Sequence, residues 1–132
     1  MGRARVLVVE DVRHIAHFVQ HNLKKAGYET RVVHHGDEVL DAVRDFSPDA
    51  VLLDMVLPGM SGLEICLALR GDPAHKDLRI VIVTGHSFDD ASADEVDAAG
   101  ADWSFTKPIS PVNMLAKLRE LGVPPQPAEA TR

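Results

Sequence analysis

Five short runs of apolar residues alternate with five segments of helical pattern along this chain, and this alternation limits the fold more than any other feature. The predicted strands are 5–10, 30–34, 50–54, 80–84 and 103–106, and the predicted helices are 13–26, 37–46, 62–70, 90–99 and 111–121. Parallel strands need a crossover connection to return to the same end of a sheet, and that connection is usually a helix. The unbroken alternation therefore predicts a parallel sheet with helices on both faces.

Right-handed crossovers leave few ways to arrange five such strands. A common order is 2-1-3-4-5, in which the winding reverses between the first and third strands. Ligands of such sheets bind at this switch point, outside the carboxyl ends of the strands. We therefore expect a single-domain α/β protein with a doubly wound, five-stranded parallel sheet in the order 2-1-3-4-5, a flavodoxin-like fold.

Apolar residues at helical spacing predict the buried faces of the first and last helices. On the first helix these residues are Ile15, Phe18, Val19, Leu23 and Ala26. On the last helix they are Val112, Leu115, Leu118 and Leu121. Ser61, followed by Glu64 three residues later, predicts a capping box at the start of the third helix.

Length and composition fit one domain in a reducing compartment. With 132 residues, 45% of them hydrophobic, the chain can bury one core. The net charge of −6 disfavours nonspecific binding to DNA or to anionic membranes. No signal-peptide pattern precedes the first strand, no stretch approaches the roughly 20 apolar residues of a membrane span, and Cys66 is the only cysteine. We expect a cytoplasmic protein that binds neither membrane nor nucleic acid through this domain.

The predicted domain occupies residues 1–121. Residues 122–132 include three prolines and show no periodic apolar stripe. Such a segment is typical of a disordered tail or of the beginning of a linker.

Acidic residues stand at the carboxyl ends of two predicted strands. Glu10 ends the first strand and Asp11 follows it, and Asp54 ends the third. If these ends meet at one edge of the sheet, three negative groups converge. At about 4 Å and an effective dielectric constant near 20, each like-charge pair costs roughly 4 kcal/mol. Such a cluster needs a cation or a raised pKa, and a divalent metal with a phosphoryl group meets that need.

Two further strand ends carry groups that suit a phosphoryl ligand. Thr84 closes the fourth strand, and Lys107 follows the fifth. They supply a hydroxyl donor and a countercharge. Asp54 alone ends the central strand, which makes it the best-placed nucleophile for forming an acyl phosphate. Glu10 and Asp11 are then left to bind Mg²⁺, an ion that takes one or two protein carboxylates together with water and phosphate oxygens.

In these motifs the chain resembles the receiver domain of two-component response regulators. The matching segments are, in chain order, 8–11 (VVED), 52–62 (LLDMVLPGMSG), 83–85 (VTG), 100–102 (GAD) and 106–108 (TKP). The resemblance implies that Asp54 takes a phosphoryl group from a phosphohistidine on a sensor histidine kinase or a histidine phosphotransfer protein. It also implies Mg²⁺ bound by Glu10, Asp11, Asp54 and the backbone carbonyl of Val56, phosphoryl contacts from Thr84 and Lys107, and a cis peptide bond before Pro108.

The same resemblance implies a signalling phosphoacceptor rather than a metabolic enzyme. Such a domain catalyses its own phosphorylation and its own slow dephosphorylation, largely by positioning and charge neutralisation. Phosphorylation draws in Thr84 and biases a surface around the fourth helix and fifth strand, which then binds or releases an effector. The sequence names neither the effector nor the kinase, and it leaves both a monomer and a homodimer open.

One position departs from the family pattern. Receivers usually carry an aromatic switch residue three positions before the lysine, and Ser104 stands there in this chain. Trp103 either replaces that aromatic or is a packing residue. Two further positions tune hydrolysis in such domains, and they hold Val56 and His86 here. Because a valine side chain cannot orient an attacking water, we expect a long-lived phosphoryl state.

Three other functions compete with the phosphoacceptor interpretation. A hydrolase with an aspartyl-phosphate intermediate needs a second acid two residues after the nucleophile, where Val56 stands. A flavin- or nucleotide-binding domain needs a glycine-rich loop after the first strand, where residues 11–14 read DVRH. A degenerate receiver that serves only as a docking scaffold is disfavoured by the complete set of acids, hydroxyl and lysine, although Ser104 keeps it open.

The chain also contains seven histidines. His14, His17 and His21 lie at positions i, i+3 and i+7 of the predicted first helix, and His34 and His35 end the second strand. Metal binding is one interpretation of this group. A solvated helix face is favoured, because the apolar residues of that helix already define its buried side.

Overall fold

The computed structural model describes residues 2–85 and 93–126, without the side chains of residues 93 and 94. The strands are β1 (Arg5–Val9), β2 (Glu29–Val33), β3 (Ala50–Asp54), β4 (Arg79–Thr84) and β5 (Trp103–Thr106). The α-helices are α1 (Arg13–Ala26), α2 (Val39–Phe46), α3 (Gly62–Arg70), α4 (Ala93–Ala98) and α5 (Pro111–Glu120). Two short 3₁₀ helices, Gly36–Glu38 and Pro73–His75, complete the described elements.

The five strands form one parallel sheet in the order β2-β1-β3-β4-β5, which confirms the predicted fold. Val9, the last residue of β1, pairs with Val33 in β2 and with Leu53 in β3. On the other side of β3, Asp54 pairs with Val83 in β4. The carboxyl ends of the central strands are therefore nearly level, and residues just after them lie along one edge.

Side chains alternate along each strand and fill two apolar layers. Leu7 and Val9 of β1 face α2, α3 and α4. Val6 and Val8 face α1 and α5. Every residue of β3 is buried, as expected for the middle strand of a sheet that is covered on both faces.

Two residues of the predicted apolar stripes are exposed, which corrects the prediction. The side chain of Phe18 is 52% exposed and that of Val112 is 76% exposed. In α5 the residues that pack on the sheet are Met114 and Leu118, four apart on one face. Val112 precedes Met114 by two positions, which places it about 200° around the helix and away from the sheet.

The helix starts largely follow their capping signals. The Ser61 Oγ accepts from the Glu64 backbone N–H at 3.2 Å, and the Glu64 carboxylate accepts from the Ser61 N–H at 3.1 Å, which confirms the capping box. The predicted second helix, 37–46, instead divides into the 3₁₀ turn Gly36–Glu38 and α2. Of the predicted fourth helix, residues 90–92 lie outside the described residues.

Residues in the segment 122–126 contact the folded domain. Val123 is buried, and its carbonyl accepts a hydrogen bond from the Tyr28 hydroxyl at 2.5 Å. The Pro125 carbonyl accepts from the Ala4 N–H at 2.9 Å. These contacts hold the segment at the amino ends of the strands, away from Asp54. Residues 127–132 lie outside the described residues, and a tail or linker there stays a prediction.

None of the helices described, in residues 2–85 and 93–126, combines the length and the apolar character needed to cross a bilayer.

Candidate functional site

Three carboxylates converge at the carboxyl edge of the sheet. Glu10, Asp11 and Asp54 each offer an oxygen, and these oxygens lie within 4.8 Å of one another. The strand register explains the meeting, because Val9 and Leu53 pair directly and the next residue on each strand is an acid. Glu10 and Asp54 are buried, whereas Asp11 is exposed. The sequence prediction that these acids share one place is therefore met.

Lys107 forms ion pairs with both buried acids, Asp54 and Glu10. Its Nζ lies 2.9 Å from Asp54 Oδ2 and 3.2 Å from Glu10 Oε1. The backbone holds the lysine in place, because its N–H donates to the Thr84 carbonyl at 2.7 Å. The peptide bond between Lys107 and Pro108 is cis. Three carboxylates and one ammonium sum to a formal charge of −3 + 1 = −2. One divalent cation would neutralise this net negative charge.

The pKa values of the site reflect this crowding. Burial raises the pKa of Glu10, and the charge of Asp54 raises it further, while hydrogen bonding from the Val12 N–H and the charge of Lys107 oppose the rise. Burial alone would lower the pKa of Lys107, but the hydrogen bond and charge of Asp54, with those of Glu10, outweigh it and raise the pKa. Lys107 is therefore a fixed cation at neutral pH, and an added positive charge would favour the ionised form of Glu10.

The loop after Asp54 is held close to the site. Asp54 Oδ1 accepts from the Val56 N–H at 3.3 Å. The first residue of α3, Gly62, packs so tightly on this loop that a Cβ there would lie 2.5 Å from the Asp54 carbonyl oxygen. The Val56 side chain is 66% exposed and carries no hydrogen-bonding group. The loop thus presents backbone groups and an apolar side chain at the rim.

Thr84 ends β4, directly after the residue that pairs with Asp54. Its hydroxyl is half-buried, and its contacts within the described residues are long, at 3.4 Å to the Phe105 carbonyl and 3.5 Å to the Gly85 carbonyl. A hydroxyl held only by such long contacts within the described part of the chain suits donation to a ligand at the strand ends.

Trp103 and Ser104 point to opposite faces of the sheet. Lys117 of α5 places its Nζ 3.6 Å from the centroid of the Trp103 ring, a cation–π contact. Ser104 pairs with Ile82 and shares a face with it, and strand alternation puts Thr84 on that same face. Trp103 is therefore separated from Thr84 by the sheet, which supports its packing interpretation. His86, the other position expected to affect hydrolysis, lies outside the described residues.

A cavity of about 620 Å³, which the sequence did not reveal, adjoins the acidic cluster. Glu10 and Lys107 lie at its polar end, and the rest of its wall is almost entirely apolar. The other lining residues are Val8, Val9, His14, Ile15, Phe18, Val19, Leu52, Val83, Pro108 and Ile109. The half-exposed Phe18 belongs to this wall, which is the physical reason that it leaves the buried stripe of α1.

Comparisons with known proteins agree with this geometry. The family model described as the response regulator receiver domain matches residues 6–119. The chain is 38% identical over 122 residues to the DNA-binding response regulator MtrA of Mycobacterium tuberculosis, covering 89% of this chain and 50% of that protein. It is 36% identical over 117 residues to the response regulator MprA of the same species, with the same coverage.

Solved structures show the same likeness. A putative response regulator from Chloroflexus aurantiacus superposes with a TM-score of 0.83 at 29% identity, covering 89% of this chain and 96% of that one. The chemotaxis response regulator CheY4 of Vibrio cholerae superposes with a TM-score of 0.81 at 30% identity, covering 89% and 98%.

The fold and the acidic edge define a doubly wound α/β signalling module of the receiver class. The chain belongs to the response regulator receiver domain family. Glu10, Asp11 and Asp54 form the acidic cluster typical of a receiver's phosphorylation site. Response regulators receive their phosphoryl group from histidine kinases, and receiver domains generally bind Mg²⁺ at such a cluster. The chain spans about half the length of the curated relatives that it matches.

Proposed function

We propose that this domain is a phosphoacceptor in which Asp54 takes a phosphoryl group from a phosphohistidine on a sensor histidine kinase or a histidine phosphotransfer protein. The observation that carries the proposal is Lys107 Nζ lying within 3.2 Å of both Asp54 and Glu10 inside a cluster of three carboxylates. A structural salt bridge needs one acid per lysine, so three carboxylates exceed what Lys107 alone requires. This excess of carboxylates suits a site that binds a cation.

The residues present fit Mg²⁺ as that cation. The side chains of Glu10, Asp11 and Asp54 and the backbone carbonyl of Val56 would hold it. All four are hard oxygen donors, and the formal charge of −2 at the site matches the ion. When bound, Mg²⁺ supplies the positive charge that offsets the oxygens of the incoming phosphoryl group.

The transfer is a displacement at phosphorus. An Asp54 carboxylate oxygen forms a bond to phosphorus, the bond from phosphorus to the histidine nitrogen breaks, and the electron pair stays on that nitrogen. Lys107 moves its ion pair from the Asp54 carboxylate to a phosphoryl oxygen, and the Thr84 hydroxyl donates to another. Positioning and charge supply the catalysis, as in other phosphoryl transfers.

Phosphorylation is then read out through the face that carries Thr84. Its hydroxyl already touches the Phe105 carbonyl of β5, so a shift of Thr84 toward a phosphoryl group releases that contact. Ser104 shares this face and offers no aromatic ring to follow the threonine. We propose that α4 and β5 form the partner surface, in a cytoplasmic protein, and that the effector recognises the backbone shift rather than a rotating aromatic.

The direct test is phosphorylation by a small donor. The protein is incubated with Mg²⁺ and phosphoramidate, and its intact mass is measured. We expect a gain of one phosphoryl group that disappears in Asp54→Asn and persists in Asp45→Asn, an exposed aspartate on α2. A wild-type protein that gains no phosphoryl group would favour the alternative of a phosphorylation-independent docking scaffold.

The lifetime of the phosphoryl group is a separate prediction. Val56→Asn places an amide at the rim that is able to orient water, and we expect phosphate release to accelerate by about tenfold. The measurement is a time course of phosphate release from purified phosphoprotein. The matched control is Val56→Leu, which keeps the apolar character, and equal rates for all three proteins would contradict the role given to Val56.

A further inference from the structure

A second group of potential metal ligands lies outside the acidic cluster, in a groove between α1 and the end of β2. The groove has a volume of about 300 Å³. Two imidazoles, those of His17 on α1 and His34 just after β2, line the same groove. The remaining lining residues are Arg13, Ala16, Gln20 and Val32.

His34 is oriented as a ligand. Its Nδ1 lies 2.8 Å from the carbonyl oxygen of Glu10. A carbonyl oxygen only accepts, so Nδ1 carries the proton and the neutral ring has its lone pair on Nε2. Histidines that bind metals are usually held in this way, with the second ring nitrogen donating to a carbonyl or carboxylate. The ring is thus fixed in tautomer and direction before any ion arrives.

His17 reaches the same groove from the helix. Its ring is exposed, and α1 is tied to β2 nearby because the Gln20 amide donates to the Thr30 hydroxyl at 2.9 Å. This tie connects α1 to β2 beside the groove that His17 and His34 line.

We propose that His17 and His34 bind a borderline transition-metal ion, for which Zn²⁺ is the probe, with water completing the coordination. Imidazole suits Zn²⁺, Cu²⁺ and Ni²⁺, whereas Mg²⁺ prefers oxygen, so this site and the acidic cluster select different ions. Among the described residues, the only set of three acid, histidine or cysteine ligands within reach of one ion is the acidic cluster. The histidine site is accordingly a two-ligand surface site that links α1 to β2.

The positive charge of Arg13 allows a second test of the proposed metal site. Arg13 lines the same groove, and its positive charge would repel a cation bound by the histidines. Replacing Arg13 by Gln removes that repulsion without removing a ligand. We expect Zn²⁺ to bind Arg13→Gln about threefold more tightly than the wild type.

The experiment is a calorimetric titration of the whole chain with Zn²⁺ in buffer that contains saturating Mg²⁺, so that the acidic cluster is already occupied. His17→Gln and His34→Gln are each expected to weaken Zn²⁺ binding by about tenfold or more. The matched controls are His14→Gln, on the same helix, and His35→Gln, next to His34, and both should keep the wild-type affinity.

A spectroscopic measurement on the wild type guards against variants that fold poorly. Imidazole NMR signals of His17 and His34 should shift together as Zn²⁺ is added, with Nε2 as the coordinated atom of His34. Loss of binding in His17→Gln and His21→Gln with no effect of His34→Gln would place the ion along the helix and overturn the proposal. Loss of binding only in Asp54→Asn, or unchanged affinity in His34→Gln, would overturn it as well.

Discussion

The two ends of the sheet differ in the balance of charge within their ion-pair clusters. At the amino ends of β4 and β5, the single carboxylate of Asp102 accepts from Arg70 at 2.7 Å, from Arg79 at 3.4 Å and from the Ile80 N–H at 2.8 Å. At the carboxyl ends, three carboxylates share one lysine. The Asp102 cluster has two cations for one anion, whereas the cluster at the carboxyl ends has three anions for one cation.

The difference separates a structural charge cluster from a functional one. Asp102 ties the start of β4 to the turn before β5, and Arg70 adds α3 through its bonds to the Gly100 and His75 carbonyls. Removing Asp102 takes an acceptor from both guanidinium groups and from the Ile80 N–H. Removing an acid from the other end relieves repulsion instead. A carboxylate is therefore expected to raise the free energy of unfolding at the amino ends. At the carboxyl ends, without a bound cation, it is expected to lower it.

The largest effect is expected at the amino end. Asp102→Ala removes the charged acceptor shared by two guanidinium groups and the Ile80 N–H, and we expect a loss of about 3 kcal/mol in the free energy of unfolding. Urea denaturation measures it. The control is Asp41→Ala, which removes an exposed ion pair with Arg44 and should cost no more than about 0.5 kcal/mol. Equal losses for the two variants would contradict a structural role for Asp102.

The next effect belongs to the carboxyl end and its cation. Mg²⁺ at about one hundred times its dissociation constant is expected to stabilise the folded protein by about 2.7 kcal/mol through mass action. The measurement is the unfolding midpoint with and without the ion. Asp11→Ala should reduce this gain strongly, while Asp41→Ala should preserve it. An equal gain in Asp11→Ala would show that the ion acts elsewhere.

A smaller effect of opposite sign is expected for Asp54→Asn without divalent ions. The change removes one of three converging negative charges and keeps an oxygen that accepts from Lys107. We expect a stabilisation of about 1 kcal/mol, well below the full like-charge repulsion because the lysine loses a charged partner. Urea denaturation in chelator measures it, and a destabilisation comparable to that of Asp102→Ala would refute the contrast between the two ends.

The smallest effect concerns pH. The pKa of Glu10 is raised in the folded protein, chiefly by burial, so the folded state binds more protons than the unfolded state above the ordinary glutamate range. Stability without divalent ions should therefore fall as pH rises through that window. Unfolding midpoints measured across this range should show a shallower fall for Glu10→Gln than for the wild type. Glu38→Gln, at an exposed position, serves as the control and should keep the slope.

Much of the fold and of the site could be predicted from the sequence, because both depend on order along the chain. Strict strand and helix alternation leads to a parallel sheet, and a parallel sheet places the carboxyl ends of all its strands at one edge. Acids after β1 and β3 were expected to meet for that reason, and their oxygens lie within 4.8 Å. A capping box is similarly local, which is why Ser61 and Glu64 behave as predicted.

Contacts between segments distant in sequence were decided only by the tertiary structure. No local pattern distinguishes Val112, exposed, from Met114, buried, because the rotation of α5 depends on what it packs against. Val123 lies in a proline-rich stretch without periodicity, and it is buried because Tyr28, 95 positions away, supplies a hydrogen bond. Periodicity reports which residues prefer burial, but the neighbours available in space determine which of them are buried and which charges find a partner.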